Sequence, residues 1–158
     1  MTSPESIPVI RDDPAGTCLR FPASEHTRLV ELVTAGYPHE TCGVLLGRRS
    51  EGDAEIERLT EAKNLNTDRA HDRYVLDPAD LLAAEEIARS SGLEVVGIWH
   101  SHPDHPARPS ITDRDAAWEG WSYVIAEVTC DGVPEITSWR LIDGAFQEEA
   151  FHAEEQRP

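Results

Sequence analysis

Hydrophobic and polar positions along this chain divide it into segments of distinct period. "TCLRF" at 17–21 reads as a first strand. From Ser24 to about Ala35, residues Leu29, Val30, Leu32 and Val33 recur at helical spacing, and Gly36 stands where such a helix would end. "CGVLLGRR" at 42–49 is a short apolar run bordered by glycine, which predicts a central strand. "AEIERLTEAKN" at 54–64 alternates well enough for another strand, with Ile56 and Leu59 out of strict phase. "DPADLLAAEEIARSSG" at 77–92 carries helix punctuation: Asp77 caps, Pro78 suits the first turn and Gly92 follows the end. Its apolar face is Leu81, Ala84 and Ala88, joined by Leu82 and Ile87. "EVVGIWH" predicts the next strand and "TDRDAAWEG" a short helix. "SYVIAEVT", "EITSWRLI" and "AFQEEAF" then read as three strands, with turn signals at Asp131-Gly132 and Asp143-Gly144. The order β-α-β-β-α-β-α-β-β-β predicts a mixed α/β, or α+β, layer arrangement.

A length of 158 residues fits one domain with a real core. Residues 1–16 hold three prolines and little periodicity, so we read them as a flexible arm, with the domain at 17–151 and a tail at 152–158. No apolar stretch approaches the ~20 residues of a membrane helix, and the first residues lack the basic-then-apolar form of a secretory signal. A cytoplasmic protein is expected. The formal net charge of -16 repels nucleic acid and anionic membrane at long range, so neither is an expected partner. The acids are spread along the whole chain, which suits solubility or a salty interior better than capture of a basic substrate. Cys18, Cys42 and Cys130 are widely spaced and odd in number, which fits small reduced thiols rather than a disulfide framework or a thiolate zinc site.

The run Val95, Val96, Ile98, Trp99 ends in "HSHP". On a strand, His100 and His102 share one face while Ser101 points to the other. Two imidazoles so placed are suited to one zinc ion, each through a nitrogen at ~2.0–2.1 Å, but firm binding needs a third ligand. Asp113 is the nearest carboxylate that a helix start would swing back towards them. A reading without metal stays open. Ser110-Ile111-Thr112-Asp113 has the form of a capping box, and two histidines near a proline-rich turn can be ordinary surface residues. Yet capping does not ask for a His-x-His, and the histidines do not ask for this cap.

Together these residues resemble the JAMM motif of the MPN-domain metallopeptidases: a glutamate, a long gap, His-Ser/Thr-His, seven residues, then Ser-x-x-Asp. Residues 103 to 109 are the seven, with Ser110 and Asp113 at the matching positions. "PHETCGVLLG" is similar to the bacterial form of the upstream segment, which makes Glu40 the matching glutamate. The resemblance spans about 17 to 150 and implies one MPN/cytidine-deaminase-like domain, a mixed curved β-sheet flanked by helices. It implies one zinc ion on His100, His102 and Asp113, a water in the remaining position, Glu40 as general base, and the Ser110 hydroxyl at the developing oxyanion. The zinc deaminases are also similar in their histidine and glutamate, but their Pro-Cys-x-x-Cys half is missing here.

The short bacterial type of this family implies a peptidase or isopeptidase acting after the Gly-Gly of ubiquitin-like or sulfur-carrier proteins. Glycines suit a tail passing close to a metal, and such a tail could add as a strand to an exposed sheet edge. The expected groove walls are 64–73 and 103–109. Asn64, Asn66 and His105 are candidate substrate contacts, with turn formation the plainer role for the asparagines and a rim role for the histidine. Two alternatives stay open: a non-catalytic MPN binding scaffold, and a zinc amidohydrolase of small molecules.

Overall fold

The computed structural model describes residues 17–154. The arm expected at 1–16 and the end of the expected tail lie outside the described residues. The elements run β1 (Cys18–Phe21), α1 (Ala23–Gly36), β2 (Cys42–Ser50), β3 (Asp53–Ala62), α2 (Pro78–Ser91) and β4 (Glu94–Pro103). They continue with α3 (Ile111–Ala116), β5 (Ser122–Thr129), β6 (Gly132–Ile142) and β7 (Ala145–Ala153), the order the periodicity predicts. The fold is α+β, and the expected curvature goes to completion. The strands close in the order β1-β3-β2-β4-β5-β6-β7, and β1 seals the barrel by pairing parallel with β7. β7 continues past the border expected at 151, because His152 and Ala153 pair with Arg20 and Phe21, and Glu154 N–H donates to the Phe21 carbonyl.

Two buried clusters lie on opposite faces of β2. Leu45 joins Leu29 and Val33 of α1 in the larger one, while Val44 and Leu46 meet Ala84 and Ala88 of α2 in the other. In α2 the Asp77 carboxylate accepts from Ala79 N–H, and Gly92 closes the helix at φ 73°, a left-handed conformation that glycine adopts without strain. Leu82, expected on the buried face, is 67% exposed, since it is two residues from Ala84 and so turned about 200° from it.

The glycines of "CGVLLGRR" lie inside β2 rather than at its borders. A Cβ on Gly43 would stand 1.9 Å from the Thr60 carbonyl oxygen and 2.3 Å from Trp99 Nε1. Glycine is therefore required where the Trp99 indole crosses the strand to donate to Thr60. The register of β2 against β4 shifts between Leu45 and Leu46. That shift puts Val96 and Trp99, three residues apart, into the same cluster, while Ile98 joins the α2 side. Beyond the shift the alternation is regular, so Ile98, His100 and His102 share the α2-facing side of β4.

Candidate metal centre

Strand β4 delivers both histidines to one place. His100 pairs with Cys42 of β2 and Ile125 of β5, and His102 pairs with Glu127 of β5. Neither is a surface residue; their exposures are 1% and 2%. Their Nε2 atoms are 3.2 Å apart. Asp113, in the first turn of α3, sets Oδ1 3.4 Å from His100 Nε2 and Oδ2 3.3 Å from His102 Nε2.

The cap forms at the same residues that the ligand reading uses. Ser110 Oγ accepts from Asp113 N–H, and Asp113 Oδ2 accepts from Ser110 N–H at 2.8 Å. The reciprocal cap fixes the carboxylate beside the imidazoles. Burial pushes the Asp113 carboxyl up, but the His100 charge and hydrogen bonds from His100, His102 and the Ser110 backbone outweigh it, so the group sits well below the usual carboxylate range.

His102 Nδ1 lies 2.7 Å from the Pro106 carbonyl, which can only accept, so Nδ1 carries a proton and Nε2 is the nitrogen turned to the site. His100 has no such support. Its Nδ1 is buried without a hydrogen-bond partner, and the Tyr74 ring stacks on it at 4.5 Å. Two nitrogen donors and a carboxylate oxygen are a zinc ligand set, and corners of a tetrahedron with ~2.0–2.1 Å spokes lie about 3.3–3.4 Å apart. The two nitrogens lie close to that spacing, each has a different Asp113 oxygen at 3.3–3.4 Å, and one ligand atom from each residue lies within 4.8 Å of the others, so the donor set fits the ion that the motif implies.

Glu40 arrives from the turn before β2 and is 5% exposed. Its backbone is gripped on both sides: N–H donates to Ala70 O, and the carbonyl accepts from Asn64 Nδ2. Ser101, between the histidines, is the link that the alternation rule left without a role. Its hydroxyl accepts from Thr41 N–H at 2.9 Å and its own N–H donates to Thr41 O, so the residue after Glu40 is tied to the centre of the His-x-His. Burial pushes the Glu40 carboxyl up to about 7, with His102 pulling it down and Asp113 adding to the rise. A carboxyl with that value exchanges protons near neutrality. Cys42, reached by the same burial, has its thiol pushed up to about 12 and is inert core. His39 is exposed.

A cavity of about 630 Å³ opens beside Glu40, His102 and Asp113. Much of its lining is apolar, with Tyr74, Leu76, Leu81, Trp118, Trp121 and Tyr123 among the residues that face it. Of the walls expected at 64–73 and 103–109, Asp72, Arg73 and His105 line the cavity, and the rest of the lining lies beyond those segments. His105 and Ser110 do line the cleft, but Asn64 and Asn66 do not. Asn64 is consumed by its own loop, donating to Glu40 O and Arg73 O and accepting from Asn66 N–H and Val75 N–H. Asn66 caps a turn by accepting from Arg69 N–H. The expectation of a free sheet edge is also corrected, because the barrel is closed. The segment at 74–76 is tied to the 64–65 segment by an antiparallel bridge between Asn64 and Leu76, with Leu65 N–H donating to the Val75 carbonyl and Val75 N–H donating to Asn64 Oδ1.

Residues 22–142 match the family model described as prokaryotic homologs of the JAB domain. Over 91 residues the chain is 38% identical to the desampylase of Haloferax volcanii, covering 56% of this chain and 62% of that protein, under two thirds of its length. Over 121 residues it is 34% identical to the CysO-cysteine peptidase of Mycobacterium tuberculosis, covering 76% and 80% of the two chains. The solution structure of a Desulfitobacterium hafniense protein superposes with a TM-score of 0.76 at 27% identity, over 87% of this chain and 94% of that one. By the extent of the family match, this chain belongs to the prokaryotic homologs of the JAB domain.

Proposed function

We propose that this protein is a zinc-dependent peptidase or isopeptidase that hydrolyses the amide bond after the C-terminal Gly-Gly of a ubiquitin-like or sulfur-carrier protein. The observation that carries the reading is a buried carboxyl with a value of about 7, set beside two imidazole nitrogens and a carboxylate whose ligand atoms lie within 4.8 Å of one another, in the lining of a largely apolar cavity. The names of the two relatives, a desampylase and a CysO-cysteine peptidase, support it.

His100, His102 and Asp113 would hold the ion. Bound there, zinc supplies Lewis acidity to the scissile carbonyl and to a water. Glu40 takes the proton from the attacking water as its oxygen bonds to the carbonyl carbon. It then gives that proton to the departing amine nitrogen as the C–N bond breaks. The Ser110 hydroxyl accepts from Asp113 N–H, which leaves its own proton to donate to the developing oxyanion, an interaction worth about 3–4 kcal/mol for one donor. The Gly-Gly would pass beside Glu40, with the residues before it along Tyr74, Leu76, Trp118 and Trp121 of the cavity lining. Three unpaired cysteines support a reducing, cytoplasmic setting.

The test is intact-mass analysis of a Gly-Gly-extended carrier protein incubated with the enzyme, beside a panel of small amides. Cleavage after the second glycine is expected, lost with a chelator and restored by zinc. Glu40→Gln lowers turnover roughly 10²–10⁴-fold. A Glu40→Gln variant cutting at the wild-type rate removes the base from the mechanism, and hydrolysis of small amides alone transfers the activity to the amidohydrolase class.

A further inference from the structure

His105 is the imidazole of the site that the mechanism above leaves unused. Its ring stacks on His102, with centroids 4.2 Å apart and planes 26° apart. Its Nδ1 is 2.8 Å from the Pro103 carbonyl, which only accepts, so Nδ1 holds the proton and Nε2 keeps a lone pair. The side chain is partly exposed and lines the cleft. A carboxylate oxygen of Glu40 and one ring nitrogen each of His102 and His105 lie within 4.8 Å of one another. His102 is committed: Nε2 faces His100 and Asp113, and Nδ1 bonds to Pro106. Glu40 and His105 are therefore the two members of this trio with lone pairs to spare.

We propose that Glu40 and His105 form a second, weaker site for a divalent transition cation such as zinc, and that its occupation silences the catalytic base. The proposal rests on the reading that His100, His102 and Asp113 hold the first ion. Carboxylate oxygen and imidazole nitrogen both bind zinc at ~2.0–2.2 Å, so two such ligands span at most about 4.2 Å across one ion. Their ligand atoms already lie within 4.8 Å of each other, close to that reach. An ion there occupies the oxygen lone pair that must accept the proton of the attacking water. Two protein ligands in place of three, beside another cation, make this site the weaker one.

Native mass spectrometry of the intact chain, titrated with zinc and paired with carrier cleavage rates, tests the proposal. Wild type is expected to take one ion first and a second at roughly hundredfold higher free zinc, with the rate falling about a hundredfold as the second binds. His105→Ala and His105→Gln keep the first ion and lose both the second ion and the fall in rate at excess zinc. Glu40→Gln also keeps the first and loses the second. A second ion persisting in both His105 variants overturns the proposal, as does a second ion that binds wild type without slowing it. Failure of the underlying reading looks different: wild type takes no tight first ion, or takes it and cleaves no carrier while the second ion is still counted by mass.

Discussion

As the proposed base, Glu40 has to be charged to accept a proton, yet it is placed where charge is unfavourable. Burial raises it from an ordinary 4.5 to about 7 in the metal-free protein. Its folded value is therefore above the unfolded one, so its contribution to stability is fully present below about pH 4.5 and is lost as pH rises through about 7, a change of about 3 kcal/mol. Asp113 has the opposite sign. Its value is depressed in the fold, so its contribution is present above about pH 4 and fades only in stronger acid. Thermal denaturation of the metal-free protein between pH 5 and 8 should show wild type losing stability relative to Glu40→Gln as pH rises. Parallel curves for the two would contradict the raised value. At this scale the sequence is most legible in "HSHP" and "SITD", whose spacing picks out three side chains that the structure brings together. It is least legible at Ser101 and Asn64, which reach partners 60 and 24 residues away.

Among the elements, local punctuation is easily read and distant support is not. Asp77, Pro78 and Gly92 act within a turn of themselves, and α2 begins and ends where they say. The glycines of β2 mislead, because an apolar run bordered by glycine looks the same whether they turn the chain or admit a crossing Trp99. Nothing local marks the support of loop 104–109. Thr137 Oγ1 donates to the Ala107 carbonyl at 2.7 Å and accepts from Trp139 Nε1 at 2.7 Å, so β6 holds the loop whose Pro106 carbonyl sets the His102 tautomer. Thr137→Val should leave the Trp139 N–H buried and unpaired, at a cost of about 1–3 kcal/mol. It should also weaken zinc binding roughly tenfold or more, as loss of outer support for a ligand does. Competitive chelator titration reads this, and an unchanged zinc affinity would confine Thr137 to stability.

For the whole molecule, barrel closure explains both what the sequence hides and how a substrate must approach. The β1–β7 and β1–β3 pairings join residues far apart in sequence and are parallel, a register that no hairpin signal announces. With the sheet closed, the cavity beside the proposed metal site offers a way in, and Trp118 of its lining is 68% exposed. Trp118→Ala should raise KM for a carrier protein severalfold with little change in kcat, because the indole contacts the tail equally before and during reaction. Steady-state kinetics would exclude this role if kcat alone fell. No helix among the described residues is long and apolar enough to cross a membrane.

The central claim is that His100, His102 and Asp113 converge on one divalent ion while Glu40 stays outside its ligand set. Zinc per chain, measured by elemental analysis after exhaustive dialysis against metal-free buffer, tests this most directly. About one ion is expected in wild type and in Glu40→Gln, and close to none in Asp113→Ala. A full complement of zinc in Asp113→Ala, or its loss in Glu40→Gln, would contradict the account.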